Sequence, residues 1–296
     1  MHNYKNNLIL LLVAIIWGGA FIAQSSSMNY IGPWTFTCIR SFLAGFAILL
    51  SFPLIKKSIS ISNSYDKKTT IIGGICCGLI VAPANIFQQI GIQYTTVGKA
   101  GFITALYCII VPFLSILLKK KVSLQTWIAA VISLIGFYFL SVSESFTLSL
   151  GDSLMLLSAF FFAVQILAID YFVTHANGVL MSSIQFIVVG CLTLIPAITL
   201  EQTSLFYLQK AFGAILYAGL LSNGVGSTLQ IVGQKGADPT VATLILSLES
   251  VFSAIGGYLF LHELLSPKEL FGCMLVFCGV ILAQIKFNRV GEVSQN

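Results

Sequence analysis

Long apolar runs dominate this chain and recur at regular intervals along its length. Each run holds about 17 to 25 mostly apolar residues, which is enough for a helix to cross a hydrocarbon layer about 30 Å thick. Because backbone groups in lipid must be hydrogen-bonded within the protein, the runs are predicted to be helices, and their short connections make neighbouring helices antiparallel. Ten transmembrane spans are predicted, at residues 8–28, 34–54, 70–92, 98–118, 124–142, 152–171, 178–199, 211–233, 240–261 and 268–286.

Composition agrees with a membrane protein that has no separate soluble domain. Hydrophobic residues make up 57% of the chain and charged residues 8%, whereas soluble domains are about half apolar and a quarter charged. The first span follows Lys5, as the apolar core of a signal peptide would. Its apolar stretch is longer than the usual core of about 7 to 15 residues, and further spans follow, so a first transmembrane helix is the preferred interpretation.

Basic residues in the connections fall mainly on one predicted side of the membrane. Eleven share the side of the N-terminus, and three lie opposite: Lys99, Lys210 and Lys268. The positive-inside rule therefore predicts a multi-pass protein of the cell (plasma) membrane with both termini cytoplasmic. Topology and the anionic inner leaflet explain the positive charge, which does not indicate a nucleic-acid partner. The inner set is Lys5, Lys56, Lys57, Lys67, Lys68, Lys119, Lys120, Lys121, Lys235, Lys286 and Arg289.

The sequence repeats itself at a spacing of about 145 residues. Gly136 and Gly279 lie 143 residues apart in matching apolar contexts, and Gly45 and Gly190 lie 145 apart. Such constant offsets indicate one ancestral unit that is used twice.

The repeat predicts the architecture. Residues 1–142 form the first unit and residues 143–296 the second, with five spans each. An odd number of spans leaves the second unit inverted, and the replacement of Lys119–Lys121 by His262 and Glu263 agrees with this. The predicted fold is an all-α membrane protein of ten transmembrane helices in two inverted five-helix repeats. Secondary transporters often have this architecture, with the substrate path at mid-membrane.

Several segments carry a family resemblance. Trp17-Gly-Gly-Ala-Phe21, Arg40, the stretch 95–107 and above all Leu248–Glu263 together resemble the EamA family of the drug/metabolite transporter superfamily. The resemblance covers nearly the whole chain and implies a ten-helix transporter of small metabolites or drugs, usually an exporter.

Three departures from the family pattern stand out. Ser250 replaces a frequent proline and is expected to straighten the ninth helix. Lys119 and Lys120 replace a Gly-Glu pair, and Phe160 stands at the place corresponding to Trp17.

Two charged residues lie inside apolar spans. Glu249 is near the middle of the ninth span, where a lone carboxylate must face a cavity, pair with a donor or stay protonated. It is interpreted either as a ligand for a substrate ammonium or a proton carrier, or as a protonated structural residue. Arg40 is interpreted either as an anchor that snorkels to the interface or as a contact for a substrate carboxylate.

Polar side chains also form stripes on single helix faces, which either line an aqueous path or join helices. Asn85, Gln88 and Gln89 share a face of the third helix. On the eighth helix, one face carries Asn223, Ser227, Gln230 and Gln234. Aromatic residues at similar depth complete a predicted pocket between the halves, with Phe21, Gln24, Thr104 and Gln165 as further lining candidates. The predicted substrate-binding residues are Trp17, Arg40, Asn85, Gln88, Tyr107, Asn223, Gln230 and Glu249.

These features favour a secondary transporter that exports a small metabolite, amino acid or drug by alternating access. No phosphate-binding loop, HExxH or GxSxG motif is present. An intramembrane enzyme or an accessory structural membrane protein remains the alternative. The seven cysteines lack metal-ligand spacing and are interpreted as small buried residues, and neither a metal nor another cofactor is predicted. The expected partners are a small-molecule substrate and the lipid bilayer, with the protein as a monomer or homodimer.

Overall fold

The computed structural model describes residues 2–59, 65–141, 149–261 and 266–284. Every regular element in these ranges is helical. The ten segments are α1 (His2–Ser27), α2 (Pro33–Ile59), α3 (Lys67–Gly91), α4 (Val97–Ala105 and Tyr107–Leu117), α5 (Leu124–Ser141), α6 (Leu150–Phe172), α7 (Gly178–Leu200), α8 (Leu205–Leu216, the π-helical Tyr217–Gly226 and Ser227–Gln234), α9 (Pro239–Leu246 and Glu249–Leu261) and α10 (Pro267–Gln284).

Eight of the described segments are long and apolar enough to cross a membrane. The other two, α5 and α10, contain the shorter apolar stretches Leu124–Phe139 and Leu270–Gln284. The predicted all-α membrane fold of ten helices in two five-helix repeats is confirmed. The predicted unit boundary at residues 142 and 143 lies outside the described residues and stays a prediction.

Polar caps in the short connections fix where several helices begin. Asp66, Asn177 and Asp238 each accept two backbone N–H groups at the start of α3, α7 and α9. Ser149 and Asp152 form a reciprocal capping box at the start of α6. Since these caps satisfy N–H groups that have no partner within the helix, each helix can begin sharply and reverse the chain direction.

The packing of the helices follows the repeat. Helix α2 packs on its equivalent α7, and α5 packs on its equivalent α10. The contact of α3 with α6 has its counterpart in the contact of α8 with α1. This pattern is that of a pseudo-two-fold axis, and it interleaves the two halves instead of leaving them as separate bodies.

The glycines that reveal the repeat lie where equivalent helices cross. A Cβ added at Gly45 would lie 2.7 Å from a side chain of α7, and one at Gly190 would lie 2.7 Å from a ring of α2. At Gly136 the added Cβ would lie 2.7 Å from a backbone oxygen of α10, and at Gly279 it would lie 2.7 Å from a backbone oxygen of α5. A side chain is therefore excluded at all four positions, which lets these helices pack backbone to backbone.

Contacts between helix ends show which ends lie together. Asn6 Nδ2 donates to the Lys235 carbonyl over 2.9 Å, which joins the start of α1 to the end of α8. Lys120, after α4, pairs with Asp170 near the end of α6. Most of the described basic connections thus share one end of the bundle, as the charge pattern predicted. Residues 262–263, predicted at the opposite end, lie outside the described residues.

Packing tests the interpretation of the cysteines and shows what two glycines of α3 contact. The expectation that all seven cysteines are buried is wrong for Cys191 and Cys278, which are exposed, and for Cys76, which is half-buried. Gly74 and Gly78 pack closely against α7, so this small-residue pair serves a helix contact within the chain.

Candidate substrate site

A cavity lies at the centre of the bundle, where α1 to α4 meet α6 to α9. The centre of a water molecule can occupy about 50 Å³ of it. Because one water needs about 10 to 15 Å³ of such space, the cavity has room for several waters or for polar groups of a small ligand. It is lined by Trp17, Ala20, Phe21, Gln24, Arg40, Val81, Asn85, Gln88, Thr104, Tyr107, Phe162, Gln165, Ile166, Gln185, Phe186, Ser222, Asn223, Ser227, Gln230 and Glu249.

The structure brings together the eight residues predicted to bind substrate, whereas Gln89 and Gln234 of the same polar stripes do not line the cavity. The eight predicted binding residues line this one cavity, as do the further candidates Phe21, Gln24, Thr104 and Gln165. Lys99 does not line it, and its Nζ instead lies 2.6 Å from Asp152 Oδ2. The polar stripes of α3 and α8 thus face the inside of the bundle.

Arg40 is a buried cation in the wall of the cavity. Its side chain does not snorkel to the surface, because the residue is only 2% exposed. The guanidinium carbon lies 5.2 Å from the ring centroid of Phe36, a distance typical of cation–π contacts. Nε and Nη2 have no hydrogen-bond partner among the described residues. The guanidinium is therefore held by an aromatic face while two of its donor nitrogens remain available.

Glu249 and Tyr107 occupy equivalent positions in two interrupted helices. Each is the first residue of the second part of its helix, α9 or α4, and they lie 142 residues apart. Glu249 is 3% exposed and Tyr107 2% exposed. The phenol and the carboxylate are close enough to interact electrostatically, but the Tyr107 hydroxyl and Glu249 Oε1 have no hydrogen-bond partner in good geometry among the described residues.

The interruption of α9 corrects a sequence expectation. Ser250 was expected to straighten this helix, yet α9 breaks between Leu246 and Glu249. The backbone N–H of Ser250 bonds to the Ser247 carbonyl over 3.2 Å, and the Ser250 hydroxyl donates to the same carbonyl over 2.8 Å. The Ser247 hydroxyl likewise donates to the Leu244 carbonyl, over 2.8 Å. Serine hydroxyls that bond back to the preceding turn bend helices, so proline is not required here.

The π-helical part of α8 is joined to α1 at the cavity wall. Trp17 Nε1 donates to the carbonyl of Ser222 over 3.3 Å, and the Tyr217 hydroxyl donates to the carbonyl of Ile16 over 3.0 Å. π-helical segments often occur at functional sites. Because its indole N–H is already bonded, Trp17 offers a ligand only the surface of its ring.

Amide side chains supply further donors to the cavity. Asn85 Nδ2, Gln185 Nε2 and Asn223 Nδ2 have no partner among the described residues. Gln88 Nε2, by contrast, donates to the Thr104 hydroxyl over 3.4 Å. Such unsatisfied buried donors are costly unless water or a ligand bonds to them, so the cavity offers donors that a polar ligand can use.

Sequence reasoning missed part of the lining. Gln185 was not among the candidates, although it is the one amide in α7. It also stands 145 residues after Arg40. The repeat offset that linked Gly45 to Gly190 would have found it. The equivalence of Phe160 with Trp17 is wrong, because Phe160 is exposed and Phe162 lines the cavity.

Comparison with known sequences decides the family. The sequence model of the EamA-like transporter family matches residues 5–142 and again residues 149–284. This chain belongs to the EamA-like transporter family. It is 30% identical to an uncharacterized transporter of Archaeoglobus fulgidus over 278 residues, which cover 94% of this chain and 85% of that protein. It is 22% identical to the uncharacterized transporter YoaV of Bacillus subtilis, with coverage of 95% and 97%.

The EamA-like fold is also found among solved structures. One crystal structure, 17% identical, superposes with a TM-score of 0.77 and covers 95% of this chain and 97% of the other. Membership in the EamA-like family identifies the chain as a transporter, not an intramembrane enzyme. Within the described residues, no group of His, Cys, Asp and Glu side chains is arranged to hold a metal ion.

Proposed function

We propose that this EamA-like transporter exports a small zwitterionic metabolite, of the size of an amino acid, by alternating access. The observation that supports this most directly is the pair of opposite charges in the cavity wall. Arg40 and Glu249 are both buried and line the same cavity. They do not form an ion pair, whereas Lys99–Asp152 and Lys120–Asp170 do.

Two buried charges that do not pair with each other each need another partner of opposite charge. A buried ion without a partner is costly, and the attraction of a nearby opposite charge recovers that cost only at short distance. A zwitterion supplies both partners. Its carboxylate matches the planar donor fork of Arg40, and its ammonium matches the carboxylate of Glu249 beside Tyr107.

The remaining lining fits the uncharged part of such a molecule. The rings of Trp17, Phe21, Phe162 and Phe186 provide an apolar wall in the same cavity. A substrate with one charge would pair with only one of Arg40 and Glu249, and the other would have no ligand group to bind. A zwitterion is therefore favoured over a simple organic cation or anion.

Orientation and assembly complete the proposal. The end of the bundle with most basic connections faces the cytoplasm, so both termini are cytoplasmic and the membrane is the cell membrane. Export is the direction that the family resemblance implies. The protein acts as a monomer or as a homodimer in which each chain holds its own cavity.

Matched substrate analogues test the zwitterion proposal on purified protein. Stabilisation against heat is measured with an amino acid, with its amide, which lacks the carboxylate, and with the acid that lacks the amine, because a ligand stabilises a protein according to its concentration relative to Kd. The zwitterions that stabilise the protein are then tested for transport in proteoliposomes. We expect binding of the zwitterion to be stronger than that of either analogue by about tenfold or more, since a charged hydrogen bond contributes at least about 1.4 kcal/mol.

Variants assign each charge to its partner group. Arg40→Gln is expected to bind the amino acid no better than its amide. Glu249→Gln is expected to bind the amino acid no better than the acid that lacks the amine. Arg40→Lys keeps the charge but loses the fork and serves as the control for charge alone. Equal responses of both variants to all three ligands, or selective binding of singly charged compounds, would contradict the proposal.

A further inference from the structure

A second cavity opens on the lipid-facing side of the bundle between α4, α5 and α6. The centre of a water-sized sphere can occupy about 480 Å³ of it. We propose that this groove binds a bilayer phospholipid, with an acyl chain along the apolar walls and the phosphate at Lys99. The walls are formed by Phe102, Ile103, Leu106, Leu134, Tyr138 and Leu156, and Lys99 and Asp152 lie at one end.

The surroundings of the groove favour an acyl chain as its occupant. Leu134, Tyr138 and Leu156 lie at its rim and are exposed, although they belong to membrane helices. The opening of the groove therefore faces the hydrocarbon of the bilayer. Its apolar walls offer water few hydrogen-bond partners. A void of this size would deprive its lining of dispersion contacts, which a lipid chain restores.

The polar end of the groove supplies a site for phosphate. Lys99 is partly exposed, and among the described residues its ammonium donates only to Asp152 Oδ2, over 2.6 Å. An ammonium has three N–H groups, so two remain for another acceptor. The Asp152 carboxylate is bonded as well by the Thr95 hydroxyl at 3.1 Å and the Ser149 N–H at 2.9 Å. Asp152 is therefore engaged in the helix cap, and Lys99 retains donors at the mouth.

The depth of these groups matches the shape of a phospholipid. Lys99 is in the first turn of α4, and Leu106 follows seven residues later, which corresponds to about 10 Å along a helix. The cation therefore lies at the interface, and the apolar walls descend from it into the hydrocarbon layer. A lipid bound here has its headgroup and chain in their normal positions within one leaflet.

The groove and the central cavity share α4 as their wall. Phe102, Ile103 and Leu106 face the groove, while Thr104 and Tyr107 face the cavity. An acyl chain packed in the groove supports this part of α4 from the lipid side. Lipid binding is independent of which substrate the cavity takes.

Photocrosslinking on the full-length protein in lipid nanodiscs tests the site. The probe is a phosphatidylglycerol that carries a diazirine in its acyl chain. The control probe is a diacylglycerol with the same diazirine chain, which lacks the phosphate. We expect labelling at residues 102–106 and 134–138 to exceed labelling at Ile195 and Ile198, which are exposed on α7 and do not line the groove. Equal labelling per exposed residue, or no preference for the phosphate-bearing probe, would overturn the proposal.

Three variants separate lipid binding from a purely structural ion pair. Leu106→Trp fills the groove and should abolish the excess labelling, whereas Ile195→Trp should not. Lys99→Gln should weaken competition by unlabelled phosphatidylglycerol about tenfold, the effect of losing one charged hydrogen bond. Asp152→Asn also breaks the ion pair but keeps the ammonium, so it should preserve lipid binding. If Lys99→Gln and Asp152→Asn behave alike, Lys99 serves only to hold Asp152 and the phosphate site does not exist.

Discussion

Glu249 is the buried carboxylate of the central cavity, and its charge must depend on what the cavity contains. A substrate ammonium would pair with the ionised carboxylate, and a proton can take the place of the ammonium when the cavity is empty. A proton would then enter the site as the substrate leaves. Such an exchange would couple transport to a proton gradient.

Glu249→Gln tests this coupling because the amide keeps the shape of the side chain but cannot titrate. We expect the variant to fold with a near-normal melting temperature and to lose transport driven by a pH gradient in proteoliposomes. Asp170→Asn, which removes a carboxylate that pairs with Lys120 outside the cavity, is the control and should retain the coupling. Unchanged pH dependence in Glu249→Gln would reject the coupling, and a variant that fails to fold would favour the structural interpretation of Glu249.

The adjacent glycines of α1 are explained by what they touch. A Cβ at Gly18 would lie 2.9 Å from the carbonyl oxygen of Glu249, and the Cβ position at Gly19 is occupied by the hydroxyl of Tyr217. Close approach of α1 to both α8 and α9 thus requires glycine at both positions.

Gly19→Ala is expected to destabilise the protein by about 1 to 3 kcal/mol, the usual cost of overpacking a core. Thermal unfolding in detergent measures the change. Gly213→Ala is the matched control, because a Cβ there would meet no atom within 4 Å. Tyr217→Phe removes the obstructing hydroxyl, so Gly19→Ala should cost less in that background. An equal cost in both backgrounds would show that Tyr217 is not the cause.

Among the elements, the two interrupted helices matter most because they begin a new helical segment at the depth of the site. In α9, Ser250 lies in the first turn of the second part, and its N–H bonds only to the preceding turn at Ser247. Proline is tolerated in a first turn, where the N–H has no helical partner.

Ser250→Pro is therefore expected to fold and to keep its transport activity. Ser253→Pro, three residues further into the same helix, should cost about 3 kcal/mol or more because a helical hydrogen bond is lost. Size-exclusion chromatography and melting temperature distinguish the two variants. Equal loss of folded protein in both would mean that the helix does not begin where the structure places it.

The sequence predicted some helix faces well and others not at all. Asn85 and Gln88 on α3, and Asn223 and Gln230 on α8, were found because several polar residues share one face and so define its direction. A single amide in an apolar run does not fix the rotation of its helix, so Gln165 was only a further candidate and Gln185 was missed. The π-helical segment of α8 was not predicted, because its contacts with Ile16 and Trp17 of α1 form only in the folded protein.

At the scale of the whole molecule, the charge asymmetry can be checked by labelling. In a cysteine-free background, a cysteine at position 120 should be protected from an impermeant maleimide added outside cells, and one at position 266 should react. The reason is that residues 119–121 follow α4 at the basic end, whereas residue 266 precedes α10 at the other end. Reaction of both positions from the same side would contradict the inverted arrangement.

The interleaving of the halves also has a consequence for how the protein is made. When α1 to α5 have left the ribosome, the helices that cover Arg40 and the polar face of α3 have not yet been synthesised, because α7 and α6 belong to the second half. The first half must therefore wait in the membrane with polar faces unpaired, and the cavity forms only when the second half is inserted. A chain divided between residues 141 and 149 would be degraded as either fragment alone but would assemble when both fragments are produced together.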